Sequence, residues 1–237
     1  MSGPEYKLAM ASKREQSIAE RKRRILAAAR TIIARDGYDA LTTRGLALAA
    51  GVTVPTLYNL VGDKAAIIAA MASDSIEQLW DRLQFDRRAT PLEMADAVID
   101  EAYAQIQEDA AFTRAAFVGL QRLGVAFSYD PNRDDAGAHH ARRSVEMAEF
   151  ACRAAQQKGQ LRGNLSARDL AVQMFAAYRA PLDDWLQEAI DDAEMLRRQR
   201  WGFYCVLAAD ASDLFREELI ARIAALSPPH KQQGEAA

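Results

Sequence analysis

Two glycines, Gly51 and Gly62, cut the stretch LTTRGLALAAGVTVPTLYNLVGDK (Leu41–Lys64) into two helical pieces too short to be stable alone. Thr42 can cap the first, RGLALAA, a helix of about two turns, and Gly51 ends it by accepting the left-handed conformation. Thr53 can cap the second, where Pro55 falls in the first turn and removes no intrahelical hydrogen bond. Gly62-Asp63 then breaks the chain before Lys64. Upstream, Ile25, Ala28, Ala29, Ile32 and Ile33 recur at the spacing of an amphipathic helix that Asp36-Gly37 closes. Two short helices joined by a tight turn and packed on a longer first one form a helix-turn-helix unit.

Downstream the pattern stays helical. Ile67, Ile68, Met71, Leu79 and Leu83 continue a long helix from Lys64, and Thr90-Pro91-Leu92-Glu93 is a capping box with proline at the first helical position. Residues 91–108 and 110–125 read as two more helices, and 128–137, with Pro131, Asn132 and Arg133, as a loop. Helical spacing resumes near Arg142 and ends at Lys158-Gly159. Ser166 to Asp169 opens a further helix that Pro181 is expected to kink or split, and helices over 192–209 and 212–226 follow. No period-2 alternation long enough for a sheet and no internal repeat is present. The expected fold is all-α: a flexible arm (1–16), a helix-turn-helix DNA-binding domain (17–63), a helical effector-binding and dimerisation domain (64–227) and a tail (228–237).

Charge divides the chain in the same place. Its formal net charge is -3, yet residues 12–64 hold ten lysines and arginines against five acids, so the body carries the negative excess. A basic head on an acidic body points the head toward an anion. Half of the residues are hydrophobic, enough for a substantial core. Cys152 and Cys205 lack any ligand spacing and read as buried free thiols. No apolar run reaches the ~18 residues of a membrane span, and the N-terminus lacks a secretory pattern, so a cytoplasmic protein is expected. Adjacent His139 and His140 point in different directions on a helix without a third ligand, which argues against metal. No nucleophile–base pair or phosphate loop is visible, so neither an enzyme nor a cofactor is expected.

The segment Leu41–Lys64, with ILAAARTIIARDGYDA before it, resembles the helix-turn-helix of the TetR family of transcriptional regulators. The resemblance implies that Thr42, Tyr58 and Lys64 contact the DNA backbone and that Arg44 reads guanine, a pairing whose chemistry is sound. Thr53 caps the recognition helix. Val54, Pro55 and the Thr56 methyl can meet thymine methyl groups, while Asn59 can pair with an adenine edge. Leu46, Ala47, Val52 and Leu57 read as packing. Leu60 stands where the family usually has a polar or aromatic residue.

The resemblance further implies a homodimer on a double-stranded DNA operator, with the last two long helices pairing across a symmetry axis. Leu170, Met174, Trp185, Leu196, Phe203 and Val206 are the candidates for that seam. It also implies a small-molecule effector, partly apolar, for which Trp80, Tyr103, Phe112, Phe117, Gln121 and Phe150 could line a pocket. A ligand-responsive repressor is therefore the first reading. A helix-turn-helix protein that organises DNA or binds a protein partner without a ligand is the second, and an all-helical enzyme the third.

Overall fold

The computed structural model describes residues 4–83, 90–122 and 128–227. The described residues form ten α-helices and one 3-10 turn, and no strand occurs among them. In order these are α1 (Pro4–Asp36), the 3-10 turn Tyr38–Ala40, α2 (Thr43–Ala49), α3 (Val54–Val61), α4 (Lys64–Arg82) and α5 (Pro91–Glu108). They continue as α6 (Ala110–Arg122), α7 (Ala136–Gln157), α8 (Ala167–Leu186), α9 (Asp192–Ala208) and α10 (Asp213–Leu226). The expected tail, 228–237, lies outside the described residues. Residues 4–16, expected as a separate arm, instead continue α1 without a break.

Most helix starts are set by a side chain that accepts from an N–H three residues on, which satisfies one of the free donors of a first turn. Thr42 Oγ1 accepts from Gly45 N at 3.1 Å, and Thr53 Oγ1 from Thr56 N at 3.3 Å. Asp63 Oδ1 does the same for Ala66 N at 2.8 Å. At α5 the capping box closes in both directions: Glu93 N donates to Thr90 Oγ1 and Thr90 N to Glu93 Oε2. Asp135, Ser166 and Asp191 repeat the arrangement at α7, α8 and α9. Asp135 moves the start of α7 to Ala136, earlier than the helical spacing near Arg142 had suggested.

The chain divides into two compact units, one of Met1–Leu79 with Gln105–Ala141, the other of Trp80–Ala104 with Arg142–Ala237. The core of the first is Ile25, Ile33, Leu41, Leu46 and Leu57 together with Ile67, Ile68 and Met71 of α4 and Phe112 and Ala116 of α6. The helix-turn-helix thus completes its core with residues beyond position 63. Short α2 and α3 could not bury enough surface by themselves, because a side chain such as Leu57 contributes only ~1.5–3 kcal/mol on burial.

In the second unit α8 packs closely on α9: a Cβ at Gly202 would lie 2.8 Å from the Ala177 Cβ, so glycine is needed for the approach. Pro181 does not split α8, which runs through it to Leu186. Pro181, Leu182, Trp185 and Leu186 are all buried, and Arg179 bridges to Asp183 across the proline, so packing on this turn offsets the lost backbone bond. The connection before α8 is tied down by the buried Asp210, whose carboxylate accepts from Gly163 N at 2.8 Å and Asn164 N at 3.0 Å.

Candidate nucleic-acid interface

The turn between α2 and α3 depends on Gly51, whose φ of 63° would strain any other residue. Leu46, Ala47 and Leu57 are buried on the inner side of the two helices. What remains outside is the set of residues with recognition chemistry. Thr42 and Arg44 are exposed on α2, and Thr53, Pro55, Tyr58 and Asn59 at α3; Val54 and Thr56 are half-buried. Pro55 and Asn59 are one turn apart, so they share a face, with Tyr58 beside them at 50% exposure.

Local hydrogen bonds decide what several of these side chains have to offer. The Thr56 hydroxyl lies 2.8 Å from Thr53 Oγ1, so its polar group is engaged with the cap. Thr42 Oγ1 accepts from its own helix yet keeps its O–H proton, which can go to a phosphate oxygen. Leu60 is half-buried and packs against the head's core, which accounts for an apolar residue at this position.

Lys64 opens α4. Its Nζ sits 3.7 Å from the centroid of the Tyr38 ring, a cation–π contact. Partial burial lowers its pKa, opposed by the charge of Asp39 and reinforced by that of Arg122. Burial in turn raises the Tyr38 phenol above its ordinary value, with Asp39 adding to the effect. On α1, Arg21, Lys22, Arg23 and Arg24 are all exposed, a run of four cations in the same unit as α2 and α3.

Two residues of this region had no role in the sequence reading. Leu48 is 84% exposed one turn after Arg44 on the same face of α2; its position opposite Leu46 and Ala47 was the available signal. Tyr38 supports Lys64, and nothing in their spacing indicates it.

The residues proposed for an effector pocket are divided between the two units. Phe112 is buried in the head's core with the Arg30 guanidinium 4.5 Å from its ring centroid, and Phe117 packs against the same core. Both take part in the core packing of the first unit. Trp80 and Tyr103 belong to the second unit, where the Tyr103 O–H and Trp185 Nε1–H both donate to the Asp192 carboxylate, at 2.8 and 2.5 Å. Phe150 is 52% exposed, and the Gln121 side chain lies outside the described residues.

The seam candidates divide by burial. Leu170, Met174, Trp185 and Phe203 are buried among the chain's own helices, where a second copy cannot reach them. Leu196 and Val206 are half-buried against that core. The surface these two helices keep is different: Ala176 and Ala180 on α8, and Arg198 and Trp201 on α9, the tryptophan at 41% exposure.

Residues 25–71 match the family described as bacterial regulatory proteins, tetR family. No curated protein matches the chain significantly. Among solved structures it resembles SmeT, the repressor of the Stenotrophomonas maltophilia multidrug efflux pump SmeDEF, with 21% identity, a TM-score of 0.60, and 82% of this chain and 92% of that one covered. It resembles the fatty acid degradation regulator FadR from Bacillus halodurans at 16% identity and a TM-score of 0.58, covering 76% and 92%. It also resembles TylP, a TetR regulator from Streptomyces fradiae, at 17% identity and a TM-score of 0.57, covering 89% and 99%. At these identities the likeness is one of fold.

Proposed function

We propose, from the premise that this chain is a TetR-family transcriptional regulator, that it is a ligand-responsive repressor binding a palindromic operator as a dimer. The observation that carries the reading is the division of α2 and α3 into a buried apolar side and an outer side bearing Arg44, Pro55, Tyr58 and Asn59. Arg44 reads guanine, Asn59 an adenine edge, and Val54, Pro55 and the Thr56 methyl contact thymine methyls. Thr42, Tyr58 and Lys64 fix the register on phosphates, and Thr53 holds the recognition helix in shape.

One such head buries too little surface for a specific complex, and known docking of this motif uses two heads about 34–36 Å apart. The outer face of α8 and α9 supports dimerisation: Ala176 and Ala180 let helices approach, and Trp201 supplies a large apolar contact. Ligand response is supported by a structural neighbour named as a flavonoid-responsive regulator, FrrA, which shares this fold at 18% identity and a TM-score of 0.53. An effector bound by the second unit, near Trp80 and Tyr103, would favour one spacing of the heads and thereby release the operator.

Selection of bound duplexes from a random pool tests the reading. A two-fold symmetric sequence bound at least ~10³-fold more tightly than bulk DNA is expected. Enrichment of no sequence would overturn specific repression and leave a DNA-organising factor. Release of the selected duplex by a partly apolar compound separates an inducible repressor from one without a ligand.

A further inference from the structure

The contact between Lys64 and Tyr38 is one end of a longer arrangement. The Tyr38 ring rests directly on the backbone of α6. A Cβ built on Gly119 would lie 2.1 Å from Tyr38 Cδ2 and 2.4 Å from Cε2, closer than any real contact, so only glycine at 119 admits the ring. One turn further along α6, Arg122 Nη1 binds both oxygens of Asp39, the neighbour of Tyr38, at 2.8 and 3.0 Å. That ion pair is exposed and contributes little by itself. The ring in its glycine notch is the specific contact, and it leaves Tyr38 only 8% exposed.

We propose that Tyr38 is a positioning residue for DNA binding: seated on Gly119 of α6, its ring holds the Lys64 ammonium at the start of α4, ready for a phosphate. A free lysine side chain must give up rotamer freedom to make such a contact, and one already held over an aromatic face gives up less. The ring occupies one side of the ammonium, and its three N–H groups leave donors for a phosphate oxygen. Because the ring takes its place from α6, a displacement of α6 at Gly119 is felt at Lys64. This inference rests on the reading of Lys64 as a phosphate contact.

The test is binding of the full chain to a random-sequence duplex of about 30 base pairs, measured by fluorescence anisotropy across a salt series, for Tyr38→Phe, Tyr38→Leu, Lys64→Ala and the double variant Tyr38→Leu/Lys64→Ala. Tyr38→Phe keeps the ring and should bind like the parent. Tyr38→Leu should weaken binding roughly two- to tenfold, and add nothing once Lys64 is alanine. An equal loss in both backgrounds means that Tyr38 serves folding alone and overturns the inference. If Lys64→Ala changes neither affinity nor salt slope, the phosphate reading itself fails, and the inference with it. Should Tyr38→Leu not fold, the parent protein supplies the measurement: NMR should find the Lys64 side-chain protons shifted upfield by the Tyr38 ring, and Gly119→Ala should abolish that shift while weakening DNA binding. Unshifted lysine protons would overturn the inference.

Discussion

Arg44→Ala removes an exposed guanidinium that has no hydrogen-bond or ion-pair partner among the described residues, so folding has nothing to lose by it. Arg44 is the second residue of α2, where a cation opposes the helix dipole by ~0.3–1 kcal/mol. Alanine also has the better helix propensity, so stability should hold or rise by a few tenths of a kcal/mol. Binding is another matter. A bidentate contact to guanine is worth ~1–3 kcal/mol, and a dimer makes two, so a selected operator should lose ~2–6 kcal/mol, roughly 30-fold to 10⁴-fold. A random duplex loses only the charge, seen as a salt slope lower by about 0.9 per contact. Anisotropy titrations with both duplexes, alongside thermal melts, measure all three quantities. Equal losses on the two duplexes, or a loss accompanied by a lower Tm, would refute base reading by Arg44.

Asp210→Ala should destabilise the chain by ~2–5 kcal/mol in urea denaturation, because it strands the N–H groups of Gly163 and Asn164 and removes a buried carboxylate that both of them need. Glu194 has its carboxyl held at about 2 by hydrogen bonds from Arg197 and then Arg198, with burial working the other way. Its folded pKa lies below the ordinary 4.5, so the stabilisation is complete above that pH and is lost as pH falls toward about 2. Glu194→Gln should flatten this part of the stability–pH curve, and an unaltered curve would remove Glu194 from the acid response. Trp201→Glu places a charge on the outer face of α9 and should shift sedimentation toward monomer without lowering the thermal midpoint of the monomer; an unchanged dimer would locate the seam elsewhere.

Helix starts were legible because they are local. Thr42, Thr53, Thr90 and Ser166 each act on an N–H three residues away, so the residues that make the interaction stand together in the sequence. Gly51 was legible for the same reason, since its positive φ is demanded by the turn it occupies. On α3 the family resemblance and contact chemistry marked Pro55, Tyr58 and Asn59 for DNA and Leu57 for packing, and the structure exposes the first three and buries Leu57. Leu48 could have been found by helical periodicity.

Periodicity failed where a helix carries apolar residues around more than half of its circumference. α8 and α9 are such helices: the sequence offers Leu170, Met174, Trp185, Phe203 and Trp201 alike, and only packing against neighbouring helices buries the first four and leaves Trp201 at the surface. The fate of Pro181 was decided in the same way, by burial of the turn around it. Taken alone, the sequence determined the all-helical class, the helix-turn-helix and the chemistry it displays, because each depends on contacts within a few residues. The assignment of Phe112 to the head's core, the completion of that core by α4 and α6, and the seating of Tyr38 between Gly119 and Lys64 were decided by the tertiary structure. Those contacts join residues far apart in the chain, and no local pattern records a neighbour that only folding brings near.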